Sequence, residues 1–512
     1  MAITSQLPEA DAGHRRSSWF TRPLALWACV LGWCVGTAIF VAGIAIPGGP
    51  AVGDAWEIIY PTWAISHGQL VCAYPPHLNS ITTFAAPVYP MIAGAIGYVA
   101  HIGSSAPFPS GTALGHSCSN AVIGMIRWSQ RTGAIESTLR TGYVVWLFLM
   151  VGVIMLIRAV GRGRTGWEPT AVVLAACVPP VWYCVEMYTH PQDVVALGFA
   201  FAAVACALRS RWVAAGVFIA FAVLTQQYTL LVAIPLLVVA PVGRRFPYVL
   251  TAAATAAVIA APLLIATSGS AFHSILAGSG ASAGTGGTLL WEFHVRSGAG
   301  LVLASRLPPL VLSLALSWRV MRRLGHSALQ PAVLIALVAV SLSFRLVFED
   351  NIFSYYYMAL AVTLVVLDVA RGRIRETFVA WLLMVVLVYT EPTILVWRQS
   401  WDQDARKWIP VIVMVLALAL ILRDVLRHSL SRVTAMWAAA LVTSLVMWPV
   451  SSDPLNFQPV TWFWQVVLVG IGVALAAGPL WTLTRGDFPQ QHTLGVEHST
   501  LLDQSPPVLE SQ

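Results

Sequence analysis

The 512-residue chain is 58% hydrophobic and only 10% charged, whereas about 25% of the residues in a soluble domain carry charge. Its net charge of +7 comes from basic residues that are scattered along the chain, which excludes a basic face for nucleic acid. Repeated apolar runs, several longer than about 18 residues, instead predict an all-α polytopic membrane protein.

The chain begins with a polar segment, 1–23, that is followed by the apolar run 24–46. Arg15, Arg16 and Arg22 precede this run, which is longer than the apolar part of a usual signal peptide. We therefore expect an uncleaved first span with a cytoplasmic tail before it.

A long loop, 47–136, separates the first span from the second, and loops of such length are usually functional. Asp54 and Glu57 lie at its start and share one face if this stretch is helical. A carboxylate at the edge of an apolar region is a candidate general base. Cys72 and Cys118 also lie in this loop, where they either form a disulfide or remain two unrelated thiols.

The apolar stretch 84–102 within this loop resembles a further span. If it were one, the arginines of 158–164 would lie outside the cell, so we interpret it as a partly embedded helix. Pro87 and Pro90 suit the first turn of such a helix.

Twelve full spans follow from the apolar runs. They are 24–46, 137–159, 170–188, 193–208, 248–266, 299–318, 328–347, 353–370, 377–394, 408–422, 433–450 and 461–483, after which 485–512 forms a polar and disordered cytoplasmic tail.

Two shorter apolar segments, 212–225 and 228–241, lie between the fourth and fifth full spans. Each is too short to cross a core of about 30 Å comfortably, and both have arginines at their outer flanks. They predict a re-entrant hairpin whose tip lines a cavity, because irregular backbone at membrane depth needs one.

Most of the 29 basic residues fall on the cytoplasmic ends of this map when both termini are cytoplasmic. Of these basic residues only Lys407 is a lysine, a bias that fits a GC-rich bacterial genome. The sequence thus predicts a multi-pass protein of a bacterial plasma membrane.

Polar residues collect at the outer ends of the predicted spans, where they would face one cavity at the lipid–water boundary. An arginine and side-chain amides in such a cavity suit an anionic headgroup, and a carboxylate suits removal of a hydroxyl proton. The residues are Asp54, Glu57, His190, Gln192, Asp193, Gln226, Gln227, Tyr228, Trp291, Glu292, His294, Arg345, Glu349, Asp350, Tyr355, Tyr356 and Tyr357.

Simpler interpretations stay open for several of these residues. Asp193 can serve only as a helix N-cap, and Arg345 can serve only as the ion-pair partner of Glu349. Tyr357 can belong to an interfacial aromatic belt. No group of residues has good metal-ligand spacing, and no cofactor motif is present.

The order of these motifs resembles the GT-C superfamily of membrane glycosyltransferases, and within it the polyprenyl-phosphate-mannose-dependent mannosyltransferases of glycosyltransferase family 87. The resemblance covers about residues 24–370. It lies in Gly53-Asp54-Ala55-Trp56, in Tyr74-Pro75-Pro76 with Ala86-Pro87-Val88-Tyr89-Pro90, in His190-Pro191-Gln192-Asp193 with Thr225-Gln226-Gln227-Tyr228, and in Phe344-Arg345-Leu346-Val347-Phe348-Glu349 with Tyr355-Tyr356.

The resemblance implies a catalytic module at 24–370, with the helices of 371–484 as an addition. It implies that Asp54 is the general base, with Glu57 beside it, and that His190, Gln227 and Arg345 bind the donor. The donor would be a polyprenyl-phosphate sugar and the acceptor a lipid or glycan at the outer face. Gln226 and Gln227 stand where relatives often have lysine.

Two other classes of function remain open. A transporter or flippase of a lipid-linked or amphipathic substrate is one, although the expected inverted repeats and midplane charges are not visible in the sequence. A structural membrane protein is the other.

Overall fold

The computed structural model of the chain describes residues 86–100, 147–160, 190–269, 298–349 and 354–371, together with Ile58, Pro61, Thr62, Leu70, Ala175, Val181, Cys184, Val185, Ala271, Leu290, Leu480 and Leu483. Across these residues the elements are helices, and no strand is present. In chain order they are α1 (Val88–Ala100), α2 (Leu147–Val160), α3 (Pro191–Leu208), α4 (Trp212–Val223), α5 (Leu230–Val239), α6 (Val242–Ala266), α7 (Gly298–Leu324), α8 (Pro331–Phe348) and α9 (Met358–Arg371), with 3-10 turns at Gln227–Thr229, Gly325–Leu329 and Ser354–Tyr357. The predicted all-α class is confirmed for this part of the chain.

Four of the described helices are long and apolar enough to cross a membrane: Pro191–Leu208, Val242–Ala266, Gly300–Leu329 and Pro331–Phe348. They match the predicted spans 193–208, 248–266, 299–318 and 328–347, and they make the chain an integral membrane protein. The predicted spans 24–46, 377–394, 408–422 and 433–450 lie outside the described residues, so the total of twelve stays a prediction.

The predicted short hairpin is present as α4 and α5, joined by the turn at Gln227–Thr229. Tyr248, on α6, contacts both arms. Its ring packs edge-on against Trp212 with 6.3 Å between ring centroids, and its hydroxyl donates to the Ala233 carbonyl over 3.3 Å. Since Trp212 begins the first arm and Ala233 lies on the second, α6 packs against both arms of the hairpin.

The pair α2 and α3 crosses at two glycines that bring the backbones into contact. A Cβ atom at Gly152 would overlap the Gly198 carbonyl, and one at Gly198 would overlap the Phe148 carbonyl. In lipid there is no hydrophobic driving force for helices to associate, so close backbone packing of this kind stabilises the contact between membrane helices.

The helices differ in how much of their surface is covered. α3 and α8 are buried along most of their length, and they carry the largest share of the core together with α9. On α6, by contrast, Val242, Val258 and Ile265 are each at least 75% exposed. Apolar side chains on such a surface suit contact with lipid tails, so α3, α8 and α9 form the interior and α6 the periphery.

Helix α1 confirms a helix within the stretch 84–102, over Val88–Ala100, which begins after Pro87. Its first N–H, that of Val88, donates to the Leu224 carbonyl at the end of α4 over 3.1 Å. Tyr89 is fully buried in a small cluster with Ile58 and Val195. The first outer loop is therefore attached to the hairpin and to the first turns of α3.

Candidate functional site

Three segments that are far apart in the sequence bring their polar residues together at one end of the helix bundle. His190, Gln192 and Asp193 lie at the start of α3, and Tyr228 lies at the tip of the α4–α5 hairpin. Arg345 and Glu349 lie at the end of α8, and Tyr355 and Tyr356 lie just before α9. The residues of this polar cluster are His190, Gln192, Asp193, Gln226, Tyr228, Arg345, Glu349, Tyr355 and Tyr356.

Arg345 is the centre of the polar cluster. Its Nε donates to Oε2 of Glu349 over 2.8 Å, and the side chains of this pair are only 16% and 7% exposed. The guanidinium carbon lies 4.3 Å from the centroid of the Tyr356 ring and 5.2 Å from that of the Tyr228 ring. The predicted pairing of Arg345 with Glu349 is confirmed, and two aromatic rings fix the guanidinium in addition.

The terminal nitrogens of Arg345 remain available to a ligand. A guanidinium has five N–H donors, and among the described residues the Nε–H bond to Glu349 is the one hydrogen bond that Arg345 makes. Both terminal amino groups therefore keep their N–H donors, in a setting where most water is excluded. A planar fork of this kind matches the oxygens of a phosphate or carboxylate.

The start of α3 differs from the prediction that Asp193 is an N-cap. The N-cap position is His190, and Pro191 is the first helical residue. Proline fits that position because its fixed φ suits a helix and its missing N–H would have no intrahelical partner. Asp193 is consequently the third residue of the helix, and its side chain is 98% buried in the polar cluster instead of capping.

The imidazole of His190 makes no cap bond because it is held elsewhere. The Gln192 Nε2 amide donates to its Nδ1 over 2.8 Å, and the ring stacks on Tyr355 with 4.8 Å between centroids and 14° between the planes. An amide nitrogen can only donate, so Nδ1 is the acceptor of this bond.

Tyr228 joins the hairpin tip to α3. Its hydroxyl donates to the main-chain carbonyl of Asp193 over 2.7 Å, and the Gln226 amide lies against the Asp193 carboxylate. The same carboxylate is close enough to Arg345 to interact with its charge. The hairpin tip thus faces the buried carboxylate and the arginine together.

One member of the site has no signal in the sequence. Cys184 lies within the predicted span 170–188, and its thiol donates to the His190 carbonyl over 3.0 Å. Its Sγ also lies 4.0 Å from Oδ2 of Asp193. The spacing of six residues between Cys184 and His190 matches no known motif, so only the fold could place this contact.

The remaining predicted site residues have different outcomes. The Gln227 N–H donates to Oε1 of Gln226 over 3.2 Å, so this residue belongs to the turn at the tip. Tyr357 is fully buried, which is inconsistent with a place in a lipid-facing aromatic belt. Asp54, Glu57, Cys72, Cys118, Trp291, Glu292, His294 and Asp350 lie outside the described residues.

No group of three or more His, Cys, Asp or Glu side chains that could hold a metal ion occurs in the part of the chain that the structure describes. The polar cluster instead combines one arginine, two carboxyl groups, an imidazole and amide groups. This composition suits the binding of an anionic group beside a hydroxylated one.

Comparison with known proteins leaves the family of this chain open. No family model matches the sequence, and no curated protein matches it. Among solved structures, the crystal structure of ArnT from Cupriavidus metallidurans in the apo state is similar over 90% of this chain and 77% of that chain. The identity is 15% and the TM-score is 0.41. The function therefore has to be inferred from the polar cluster itself.

Proposed function

We propose that this protein is a membrane glycosyltransferase that moves a sugar from a polyprenyl-phosphate donor to a lipid or glycan acceptor at the extracytoplasmic face. Mannose is the sugar that the family resemblance implies. The observation that carries the proposal is the partly buried Arg345, whose terminal amino groups have no hydrogen-bond acceptor among the described residues.

Arg345 is suited to the phosphate of such a donor. Glu349 compensates its charge on one side and leaves the guanidinium fork open on the other. The phosphodiester of a lipid-linked sugar carries a single negative charge, which one arginine can match without a metal ion. Tyr228 and Tyr356 hold the fork in place and keep water from it, which strengthens the bonds to the phosphate.

Other members of the polar cluster would bind the rest of the donor. In this proposal Gln226 and Gln227 lie beside the phosphate, while His190 and Gln192 face the sugar. Glu349 and Tyr356 act through Arg345, because they fix its orientation. His294, one of the polar residues predicted at the outer ends of the spans, joins the binding residues of this proposal.

The catalytic base of the proposal is Asp54, with Glu57 next to it. Ile58 follows Asp54 by four residues and packs against Val195, which lies two residues after Asp193. Four residues of extended chain reach about 14 Å, so the position of Ile58 is compatible with a base near the polar cluster. Asp54 would take the proton from the acceptor hydroxyl as this oxygen attacks the anomeric carbon, and the lipid phosphate would leave.

The polarity of the bundle supports an extracytoplasmic site. The polar cluster lies at the start of α3, the end of α8 and the start of α9. The opposite end carries arginines at the end of α3, the start of α6 and the end of α7, which marks it as cytoplasmic by the positive-inside rule.

A transfer assay on the purified, detergent-solubilised protein tests this function. The assay offers a panel of polyprenyl-monophosphate sugars with a lipid extract as acceptor, and it compares the wild type with Asp54→Asn. A general base contributes about 10²- to 10⁴-fold, so we expect Asp54→Asn to lose at least two orders of magnitude in rate. Asp453→Asn, in a predicted outer loop between the last two spans, serves as the matched control and should transfer normally.

Two results would contradict the proposal. Equal rates for Asp54→Asn and the wild type would remove Asp54 as the base. Absence of transfer from any donor, with folded protein, would favour the alternative of a transporter or flippase, which flux measurements in liposomes would then examine.

A further inference from the structure

We infer that Gln192 and Asp193 form a subsite that accepts hydrogen bonds from hydroxyl groups of the donor sugar, next to the phosphate contact at Arg345. This inference rests on the proposed function and assigns its sugar recognition to two named oxygens. The Gln192–Asp193 subsite is the pair formed by Oε1 of Gln192 and Oδ1 of Asp193.

The two oxygens share an unusual condition. Each is buried, and neither has a hydrogen-bond partner among the described residues. Gln192 and Asp193 as whole residues are 3% and 2% exposed. A buried acceptor without a donor is costly in a folded protein, so each of these atoms requires a donor from elsewhere.

Neighbouring bonds hold these residues in place and prevent them from turning away. The Nε2 amide of Gln192 is bound to His190, which directs Oε1 to the other side of the amide group. The main-chain carbonyl of Asp193 accepts the Tyr228 hydroxyl, which fixes the helix turn that carries the carboxylate. Both residues also lie in the first turn of α3, at consecutive positions of this helix.

The chemistry of the missing ligand follows from these atoms. An amide oxygen and a carboxylate oxygen are acceptors, so the ligand must supply donors. Arg345 lies within electrostatic reach of Asp193 and already compensates part of its charge, so neutral O–H donors suffice. A sugar ring carries several hydroxyls and is attached to the phosphate that Arg345 binds. Such a ring supplies neutral O–H donors next to the phosphate.

Gln226 is a further polar residue that faces the Asp193 carboxylate. Its side chain lies against the Asp193 carboxylate, and it is half-buried at the hairpin tip. Because Oδ1 of Asp193 has no hydrogen-bond partner among the described residues, a sugar hydroxyl can reach this oxygen while Gln226 stays in place.

Binding measurements separate the sugar contact from the phosphate contact. The probes are a short-chain prenyl phosphate esterified with a hexose and the same prenyl phosphate esterified with a methyl group, which carries equal charge but no sugar. We expect the wild type to bind the hexosyl probe at least tenfold more tightly. Asp193→Asn and Gln192→Met should each reduce this preference about tenfold and leave the affinity for the methyl probe within twofold.

Single-deoxy hexosyl probes supply a readout that a merely structural role would not change. In the wild type, removal of at least one hydroxyl from the probe should weaken binding about tenfold. Removal of the same hydroxyl should change the affinity of Asp193→Asn or Gln192→Met only slightly. Asp368→Asn, which changes a buried aspartate near the far end of α9, is the matched control and should retain the wild-type preference.

The outcomes distinguish this inference from the proposed function. Failure of the wild type to bind either probe would overturn the proposed function, and the inference with it. Binding of both probes with equal affinity, or variants that weaken both probes alike, would overturn the subsite while leaving the phosphate site in place. A variant that unfolds is replaced by the other, because the two substitutions alter different side chains.

Discussion

At the scale of single residues, the position of Arg345 is decided by the balance between desolvation and pairing. Removing one partner from a buried ion pair costs about 3–5 kcal/mol, since the remaining charge is left without compensation. Glu349 supplies that compensation through a bond of 2.8 Å, and the rings of Tyr356 and Tyr228 add about 1–2 kcal/mol each where water is excluded. Arg345 can thus stay charged in the bundle while its terminal amino groups remain available.

Substitution of Arg345 by lysine tests whether the guanidinium fork matters beyond its charge. Lysine keeps the positive charge and can pair with Glu349, but its ammonium cannot also hold a phosphate bidentately. We expect Arg345→Lys to lower kcat/KM for the lipid-linked donor about 100-fold, in line with the loss of a directed donor in other active sites. Transfer kinetics on purified protein would measure this.

Arg322→Lys is the matched control for this prediction. Arg322 also lies over an aromatic ring, 5.1 Å from the centroid of Trp318, but it is exposed near the end of α7. Its substitution should leave transfer within twofold of the wild type. Equal losses in both variants would mean that Arg345 contributes only general cation–aromatic packing.

At the scale of elements, the crossing of α2 and α3 determines where the first turn of α3 is placed. Gly198 lies five residues after Asp193, and it packs so closely on the backbone of α2 that a Cβ atom would overlap the Phe148 carbonyl. Any side chain at this position would separate the two helices. The polar cluster therefore depends on a contact that contains no polar side chain.

Gly198→Val tests this dependence. The new side chain would overlap backbone atoms that cannot move aside, and overpacking of a tight interface costs about 1–3 kcal/mol or more. We expect a lower midpoint of thermal unfolding in detergent together with weaker donor binding. Gly243→Ala is the control, because a Cβ at Gly243 meets nothing within 4 Å and alanine favours the helix. Unchanged stability of Gly198→Val would contradict the close crossing.

At the scale of the whole molecule, the described helices have a basic end and an end that carries the polar cluster. Arg209 and Arg211 at the end of α3 and Arg244 at the start of α6 are exposed at the basic end. Ser268 follows the other end of α6 and is exposed as well. Helix α6 has 25 residues, which span about 37 Å, so these two positions lie on opposite sides of a membrane.

Cysteine labelling in right-side-out vesicles tests this orientation, in a background whose native cysteines are replaced. A membrane-impermeant thiol reagent should modify Ser268→Cys directly and Arg244→Cys only after the vesicles are opened. The reverse pattern would place the polar cluster in the cytoplasm and would contradict an extracytoplasmic transferase.

The class of protein, several element boundaries and the membership of much of the polar cluster could be predicted from the amino-acid sequence alone. Apolar runs of sufficient length predict helices, and so α3, α6, α8 and the α4–α5 hairpin appear where the sequence places them. Polar side chains beside an apolar span cost free energy unless they are paired or bind a ligand. For this reason several members of the polar cluster could be predicted: His190, Gln192, Tyr228, Arg345 and Glu349.

The contacts among these residues could be seen only in the packed structure. Hydropathy indicates the depth of a residue along one helix, but it does not indicate which neighbouring helix the side chain faces. The packing of Tyr228 and Tyr356 against Arg345 therefore could not be predicted. The hydrogen bond from the Cys184 thiol to the His190 carbonyl and the burial of Asp193 in the first turn of α3 also depend on contacts between distant segments. Such contacts are set by how helices cross, as at Gly152 and Gly198, and that geometry is a property of the packed bundle, which no single segment contains.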